Sequence, residues 1–244
     1  MSEMYLSKNI TVTKDDVDKN NNMKPFSMLD KLQDLAAIHA DIIGVGYNEI
    51  IKRNLAWIVM YETIEVVTRL PKKDEEIKVI TWPKPQYKLE FEREYEIRDI
   101  NDNLLVKGIS NWAIFDINKR RIARADSIIF NGEYITQTNY PNKAPRKLDL
   151  ACDNILNTIY YEVTESDIDS NGHMNNAKYI DAVSKLIYKN TKAIFKKLQI
   201  AFIHEARLGQ KIKIDYYKAE DNLDAFIGHI DDQLSFELIV EMEE

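Results

Sequence analysis

One cysteine, Cys152, stands in the 244 residues, so neither an internal disulfide nor a cysteine-cluster metal site can be built. Glycine is scarce as well: there are seven, none in a run that could cradle a phosphate. No stretch of eighteen apolar residues occurs, so no membrane span is expected. Residues Met1 to Asn9 lack the apolar core of a signal peptide, and the cytoplasm is the default expectation. Basic charge is in deficit, 33 Lys and Arg against 40 Asp and Glu. The resulting net charge of −7 argues against general nucleic-acid binding, which needs a basic surface. What remains is a globular balance, 45% apolar and 30% charged, in a chain long enough for one large or two fused small domains.

Helical periodicity appears twice. Between Phe26 and Ile43 the residues Met28, Leu32, Leu35, Ala36, His39, Ile42 and Ile43 share a face; between Asn175 and Tyr188, Ala177, Ile180, Val183, Ser184 and Ile187 do. Most of the rest reads as strand. The first set is Leu55–Arg69, Glu76–Trp82, Leu89–Arg98 and Leu104–Phe115; the second is Phe195–Arg207, Gln210–Tyr217, Asp224–Ile230 and Leu234–Met242. The two long strands end alike, Arg69-Leu70-Pro71 against Arg207-Leu208-Gly209. Between the halves lies Asn139-Tyr140-Pro141-Asn142-Lys143-Ala144-Pro145, a polar stretch with two prolines that reads as a linker. The division is therefore 1–138, a linker over 139–150, and 151–244. One helix followed by several antiparallel strands, twice over, predicts an α+β double hotdog, two tandem folds of antiparallel sheet wrapped around two central helices.

Chemistry concentrates in Ser166 to Tyr179. Asp167, Asp169, Asn171, His173 and Asn175 crowd into a turn just before the second helix. A helix N-terminus offers unpaired N–H groups and positive potential, a place to hold a developing oxyanion. Histidine adds a side chain that changes charge near neutral pH. Asp and Asn are also favoured helix caps and Asn-Gly is a turn signal, so composition alone leaves capping as an equal reading. Calcium is rejected: counted from Asp167, the twelfth position of an EF-hand loop, where a bidentate Glu is required, is Lys178. No metal or other cofactor is expected.

Asp169-x-Asn171-x-His173-Met174-Asn175-Asn176-x-x-Tyr179 resembles the signature of acyl-acyl carrier protein (ACP) thioesterases. Three more blocks resemble the same family in order: Asn54 to Val59, Arg69-Leu70-Pro71 through Val79 to Pro83, and Ser110 to Asp116 followed by Arg120-Arg121. The resemblance implies a fatty acyl-ACP hydrolase of fatty acid biosynthesis, with its site in the second half. Asp169, Asn171 and His173 would serve hydrolysis, Glu205 on the following long strand would place or activate water, and Asn175 and Asn176 would contact substrate. Strand alternation sets Glu205 on a face with Ala201 and Ile203, and a carboxylate inside an apolar strand is expensive to bury unpaired. Plant members carry a cysteine directly after that Glu; here it is Ala206, and Cys152 near the linker reads as a bystander. Attack by water and attack by Asp169 both stay open.

The first half is expected to lack the site, because Asn20 to Phe26 contains no acid and no histidine. It would supply the acyl pocket, with Trp57, Met28 and Leu32 as candidates. The partner is an acidic carrier protein bearing an acyl-phosphopantetheine, which calls for a basic dock: Lys119, Arg120, Arg121 and Arg124, or else Lys192, Lys196 and Lys197. A homodimer is compatible with all of this. Two other functions compete: a hotdog acyl-CoA thioesterase, and a non-catalytic regulator that binds acyl thioesters. A DNA-linked sensor would need a helix-turn-helix or a basic arm, and the first 25 residues offer neither.

Overall fold

The computed structural model describes residues 4–128, 130, 134–141, 154–169, 172–187, 194–220 and 222–243. Contacts divide the chain into two compact units, Met1–Ala144 and Pro145–Glu244. The first holds β1 (Leu6–Thr11), a 3-10 turn (Lys14–Asp16), α1 (Pro25–Ile42), α2 (Tyr47–Ile50), β2 (Leu55–Val66), β3 (Glu76–Pro83), β4 (Glu90–Asp99), β5 (Leu104–Asp116) and β6 (Arg121–Ile122). Its sheet runs β1-β3-β4-β5-β2, every pair antiparallel, with β6 on β5. The second unit holds β7 (Asn157–Glu162), a 3-10 turn (Glu165–Asp167), α3 (Asn176–Ile187), β8 (Ile194–Phe202), β9 (Lys211–Glu220), β10 (Leu223–Ile230) and β11 (Gln233–Glu243). Its order, β7-β9-β10-β11-β8, repeats that of the first strand for strand. Each unit is a hotdog, and the chain is the expected α+β double hotdog. Among the described residues no helix is long and apolar enough to cross a membrane.

Helical periodicity placed both long helices correctly because their buried faces recur at the helical repeat. Met28, Leu32, Leu35, Ala36 and His39 of α1 are buried, as are Ala177, Ile180, Val183 and Ile187 of α3. Ile42 is an exception at 55% exposed, since the helix ends there and the chain turns away. The two long strands stop earlier than expected. Val67 and Thr68 both donate their N–H groups to the Leu105 carbonyl, and Ile203 and His204 both donate to that of Ser235. Two donors on one acceptor end the ladder, so β2 closes at Val66 and β8 at Phe202.

The same backbone bonds correct the register of the repeat. Lys72 N–H is accepted by the Glu75 carboxylate and Arg207 N–H by the Gln210 amide oxygen, both at 2.8 Å. Asp74 and Gly209 share a positive φ, 64° and 77°. Arg207 thus corresponds to Lys72, and Arg69-Leu70-Pro71 does not match Arg207-Leu208-Gly209. The residues between Thr68 and Pro71 match those between His204 and Ala206: Arg69 and Leu70 stand where the second unit has Glu205 alone.

Between α1 and its sheet the first unit buries polar groups that alternation in the strands disguised. The Arg93 guanidinium lies 3.0 Å from His39 Nδ1 and donates to Thr81 Oγ1 at 3.2 Å; among the described residues no carboxylate pairs with it. Tyr95 and Trp112 meet on the Ser110 hydroxyl at 2.8 and 2.6 Å. Met28 and Leu32 are fully buried among the core residues, while Trp57 donates its indole N–H to the Val45 carbonyl at 2.8 Å and stands edge-on to Phe91 and Trp112. On the other face of β4, Glu94 is 0% exposed. Its carboxylate accepts the Thr138 hydroxyl and, at 2.7 Å, the Asn139 N–H, and Lys84 balances its charge at 3.1 Å. Asn139 Nδ2 reaches Glu96 at 2.8 Å, so the first residues of the expected linker are fastened to this sheet.

Glu62 on β2 is buried with both carboxylate oxygens 2.8–2.9 Å from the Gln33 amide nitrogen. Burial pushes its pKa up to about 8, and the Gln33 bond offsets only part of that rise. The folded state therefore holds a proton that the unfolded chain releases above its ordinary carboxylate range. Stability from this group is fully present at pH 4 and is lost as pH rises toward about 8, where the loss levels off. The loss is on the order of 4 kcal/mol. Glu62→Gln should match wild type near pH 4 and exceed it progressively up to pH 8–9 in urea unfolding; parallel pH profiles would refute this.

Candidate active site

The turn that leads into α3 is built from its own backbone. Thr164 donates its N–H and its hydroxyl to Asp167 Oδ2 at 2.9 and 2.8 Å, closing a capping box. Burial pushes the Asp167 pKa up, but the bonds from Thr164 and Tyr161 and the nearby Lys178 charge outweigh it and hold the group below its usual range. Asp167 is thus a structural acid. Asp169 and His173 face each other across the turn: Asp169 N–H donates to the His173 carbonyl at 2.8 Å, and His173 N–H to Asp169 Oδ1 at 3.2 Å. Asn175 caps the helix, its Oδ1 accepting the Ala177 N–H at 2.8 Å, and Asn176 opens the first turn. Asn171 and Cys152 lie outside the described residues, as does Lys192.

The histidine side chain meets the expected acid. His173 Nε2 lies 3.2 Å from Glu205 Oε2, with the two side chains 28% and 54% exposed. The expected environment of Glu205 was wrong. It lies in no strand and is not buried; it sits in the loop after β8, beside exposed Ile203 and His204. The double acceptance at Ser235, which sequence does not reveal, ends the strand before it. His173, Asp169 and Glu205 therefore come together on one surface of the second unit, open to water. Among the described residues no cluster of three metal-ligating side chains occurs.

The first unit carries the same turn, bond for bond. Thr13 donates to Asp16 as Thr164 does to Asp167. Asp18 exchanges bonds with Asn22 as Asp169 does with His173, its carboxylate accepting the Asn22 N–H at 3.0 Å. Met23 N–H donates to the Pro71 carbonyl and Met174 N–H to that of Ala206, both at 2.8 Å. The expectation that this stretch holds no acid began two residues too late, for Asp18 occupies the place of Asp169. What the first unit lacks is the histidine, replaced by Asn22, and the glutamate.

Two family models cover most of the chain: the acyl-ACP thioesterase N-terminal domain over residues 3–131 and its C-terminal domain over residues 153–243. The chain belongs to the acyl-ACP thioesterase family. Family membership joins the two hotdogs found here to a known pairing of domains. A crystallised acyl-ACP thioesterase from Bacteroides thetaiotaomicron superposes with a TM-score of 0.86 at 21% identity, covering 98% of each chain. A 12:0-ACP thioesterase from Umbellularia californica gives 0.81 at 16%, covering 100% of this chain and 98% of that one. These share the fold. The chloroplastic palmitoyl-acyl carrier protein thioesterase of Arabidopsis thaliana is 26% identical over 192 residues, 72% of this chain and 46% of that protein. The chain spans about half the length or less of the curated relatives it matches first.

Basic side chains at the expected docks are partly paired. Lys119 Nζ meets Asp116 at 2.9 Å and Arg124 meets Asp126 at 3.1 Å, whereas Arg120 tips its turn at a φ of 52° and Arg121 is exposed in β6. Lys196 pairs with Glu243 at 2.9 Å.

The repeat yields a test of the turn. Gly172 has a φ of 80°, with open space where a Cβ would point, and Asn21 holds the corresponding place at 60°. Gly172→Ala should lower stability by about 1 kcal/mol through backbone strain alone, whereas Gly172→Asn should cost a few tenths. Equal effects in denaturant titrations would refute the strain argument.

Proposed function

We propose that the chain hydrolyses fatty acyl-ACP to free fatty acid and ACP within fatty acid biosynthesis. The observation that carries the reading is the 3.2 Å contact of His173 with Glu205 on the turn that precedes α3, in a member of a thioesterase family. Glu205 takes a proton from water while the water oxygen attacks the thioester carbonyl carbon. The tetrahedral oxyanion then collapses and the C–S bond breaks. Glu205 passes that proton across the 3.2 Å contact to His173, which is held by Asp169 through the turn and gives it to the departing pantetheine sulfur. Asn171, with Asn175 and Asn176 at the helix start, is assigned to the carbonyl oxygen and thioester. Each oxyanion donor is worth roughly 10²–10³-fold and acid–base help roughly 10²–10⁴-fold, enough for an already activated thioester.

Water is preferred over Asp169 as nucleophile because Asp18 makes the same carboxylate-to-backbone bond in the unit that lacks the histidine and the glutamate. That bond belongs to the turn and comes without chemistry attached. The apolar interior of the first unit, with Trp57, Met28 and Leu32, is assigned to the acyl chain. Arg120 and Arg121, together with Lys119 and Arg124, are assigned to the carrier.

His173→Ala should keep its fold and lose roughly 10²-fold or more in kcat on acyl-ACP, measured across chain lengths beside matched acyl-CoA. Wild-type kcat in the folded variant would sink the site, and faster turnover of acyl-CoA at every length would move the reading to a CoA thioesterase.

Charge reversal at Arg120 and Arg121 should lower kcat/KM for acyl-ACP and leave a short neutral pantetheine thioester unchanged. Added salt should mimic the effect, because screening shortens surface electrostatics to about 8–10 Å. Equal losses on both substrates would place the damage in the fold or the site.

A further inference from the structure

Glu205 is exposed and lies beyond the end of its strand, yet both of its peptide groups are clamped. On the C-terminal side, Ala206 N–H donates to the Tyr179 hydroxyl at 2.9 Å. On the N-terminal side, the Ser235 hydroxyl donates to the His204 carbonyl at 2.7 Å and also bonds the Tyr179 phenol. A hydrogen-bonded chain thus runs from Ala206 N–H through Tyr179 and Ser235 to the His204 carbonyl, bracketing the one residue between. Tyr179 and Ser235 are themselves buried, and the Tyr179 ring stands edge-on to Phe202 and Phe236 at 5.5 and 5.2 Å.

The first unit supplies the comparison. Counted from the paired Met23 and Met174, Met28 occupies the place of Tyr179. Pro71, which has no N–H, takes the place of Ala206, and Leu105 that of Ser235. The acceptor, the donor and the second clamp are lost together in the unit that has no glutamate there. The shared bonds that build the fold, from Met23 to Pro71 and from Met174 to Ala206, persist in both.

We propose that Tyr179, with Ser235, is a positioning residue that fixes the backbone of Glu205 and so aims its carboxylate at His173. This rests on the proposed hydrolysis for its kinetic consequence, though not for its geometric one. Tyr179→Phe keeps the ring and removes the hydroxyl. In the full chain it should lower kcat on acyl-ACP by about 10- to 100-fold with KM changed less than about 2-fold, the scale expected when a catalytic group is misplaced. In a Glu205→Gln background the same substitution should add almost nothing. A separate readout needs no turnover: the 15N resonance of His173 Nε2 in Tyr179→Phe should move toward its value in Glu205→Gln. Ser235→Ala, a smaller change on the other clamp, should act in the same direction and serves if Tyr179→Phe does not fold. Wild-type kcat in a folded variant, a full loss retained without Glu205, or an unmoved His173 resonance would each overturn the proposal. An inactive wild type with the resonance shift intact would count against the hydrolase reading and leave the positioning role standing.

Discussion

One backbone hydrogen bond, made once in each unit, organises the rest. A methionine at the end of the helix-leading turn donates its N–H to the carbonyl of a residue just past the neighbouring strand, Met23 to Pro71 and Met174 to Ala206. It draws the start of the helix against the exit of the strand. Any side chain on the turn and any side chain just before the accepting carbonyl are thereby brought face to face. In the second unit those are His173 and Glu205, distant in sequence and in contact in the fold. In the first the same geometry joins side chains with no acid–base pair between them.

This arrangement separates folding from chemistry inside one molecule. The capping boxes at Thr13 and Thr164, the reciprocal bonds of Asp18 and Asp169, and the positive φ at Asn21 and Gly172 recur, so they serve the turn. Residues at the same stations that differ are the ones free to carry function. By that criterion an aspartate inside a catalytic signature can be a part of the scaffold, and a buried tyrosine outside the acid–base pair can matter to it.

Helices, strands and the doubled plan were legible because burial imposes periods of 3.6 and 2 on the sequence. The motif located the histidine, and the family resemblance pointed to Glu205. Three things were not legible, each for a physical reason. The end of β8 depends on one carbonyl accepting two donors, which no residue type announces. The register of the repeat is fixed by backbone bonds and by positive φ at Asp74 and Gly209, while the likeness of Arg-Leu-Pro to Arg-Leu-Gly is accidental. The polar interior hides because β4 alternates Phe91, Arg93, Tyr95 and Ile97 with Glu92, Glu94 and Glu96, the pattern of a half-solvated strand, although most of both faces is covered.

The fastening of Thr138 and Asn139 to Glu94 bears on how the chain is made. Glu94 sits fully enclosed on the outer face of β4, and the residues that satisfy its oxygens come more than forty positions later. A nascent first half that has emerged only through β5 would hold this carboxylate beside Lys84 without the Asn139 N–H. Burying a carboxylate without those donors is costly, so enclosure of this face of β4 is favoured only once residues 138 and 139 have been made. Truncation after β5 would remove both donors and leave the Glu94 carboxylate with Lys84 as its partner.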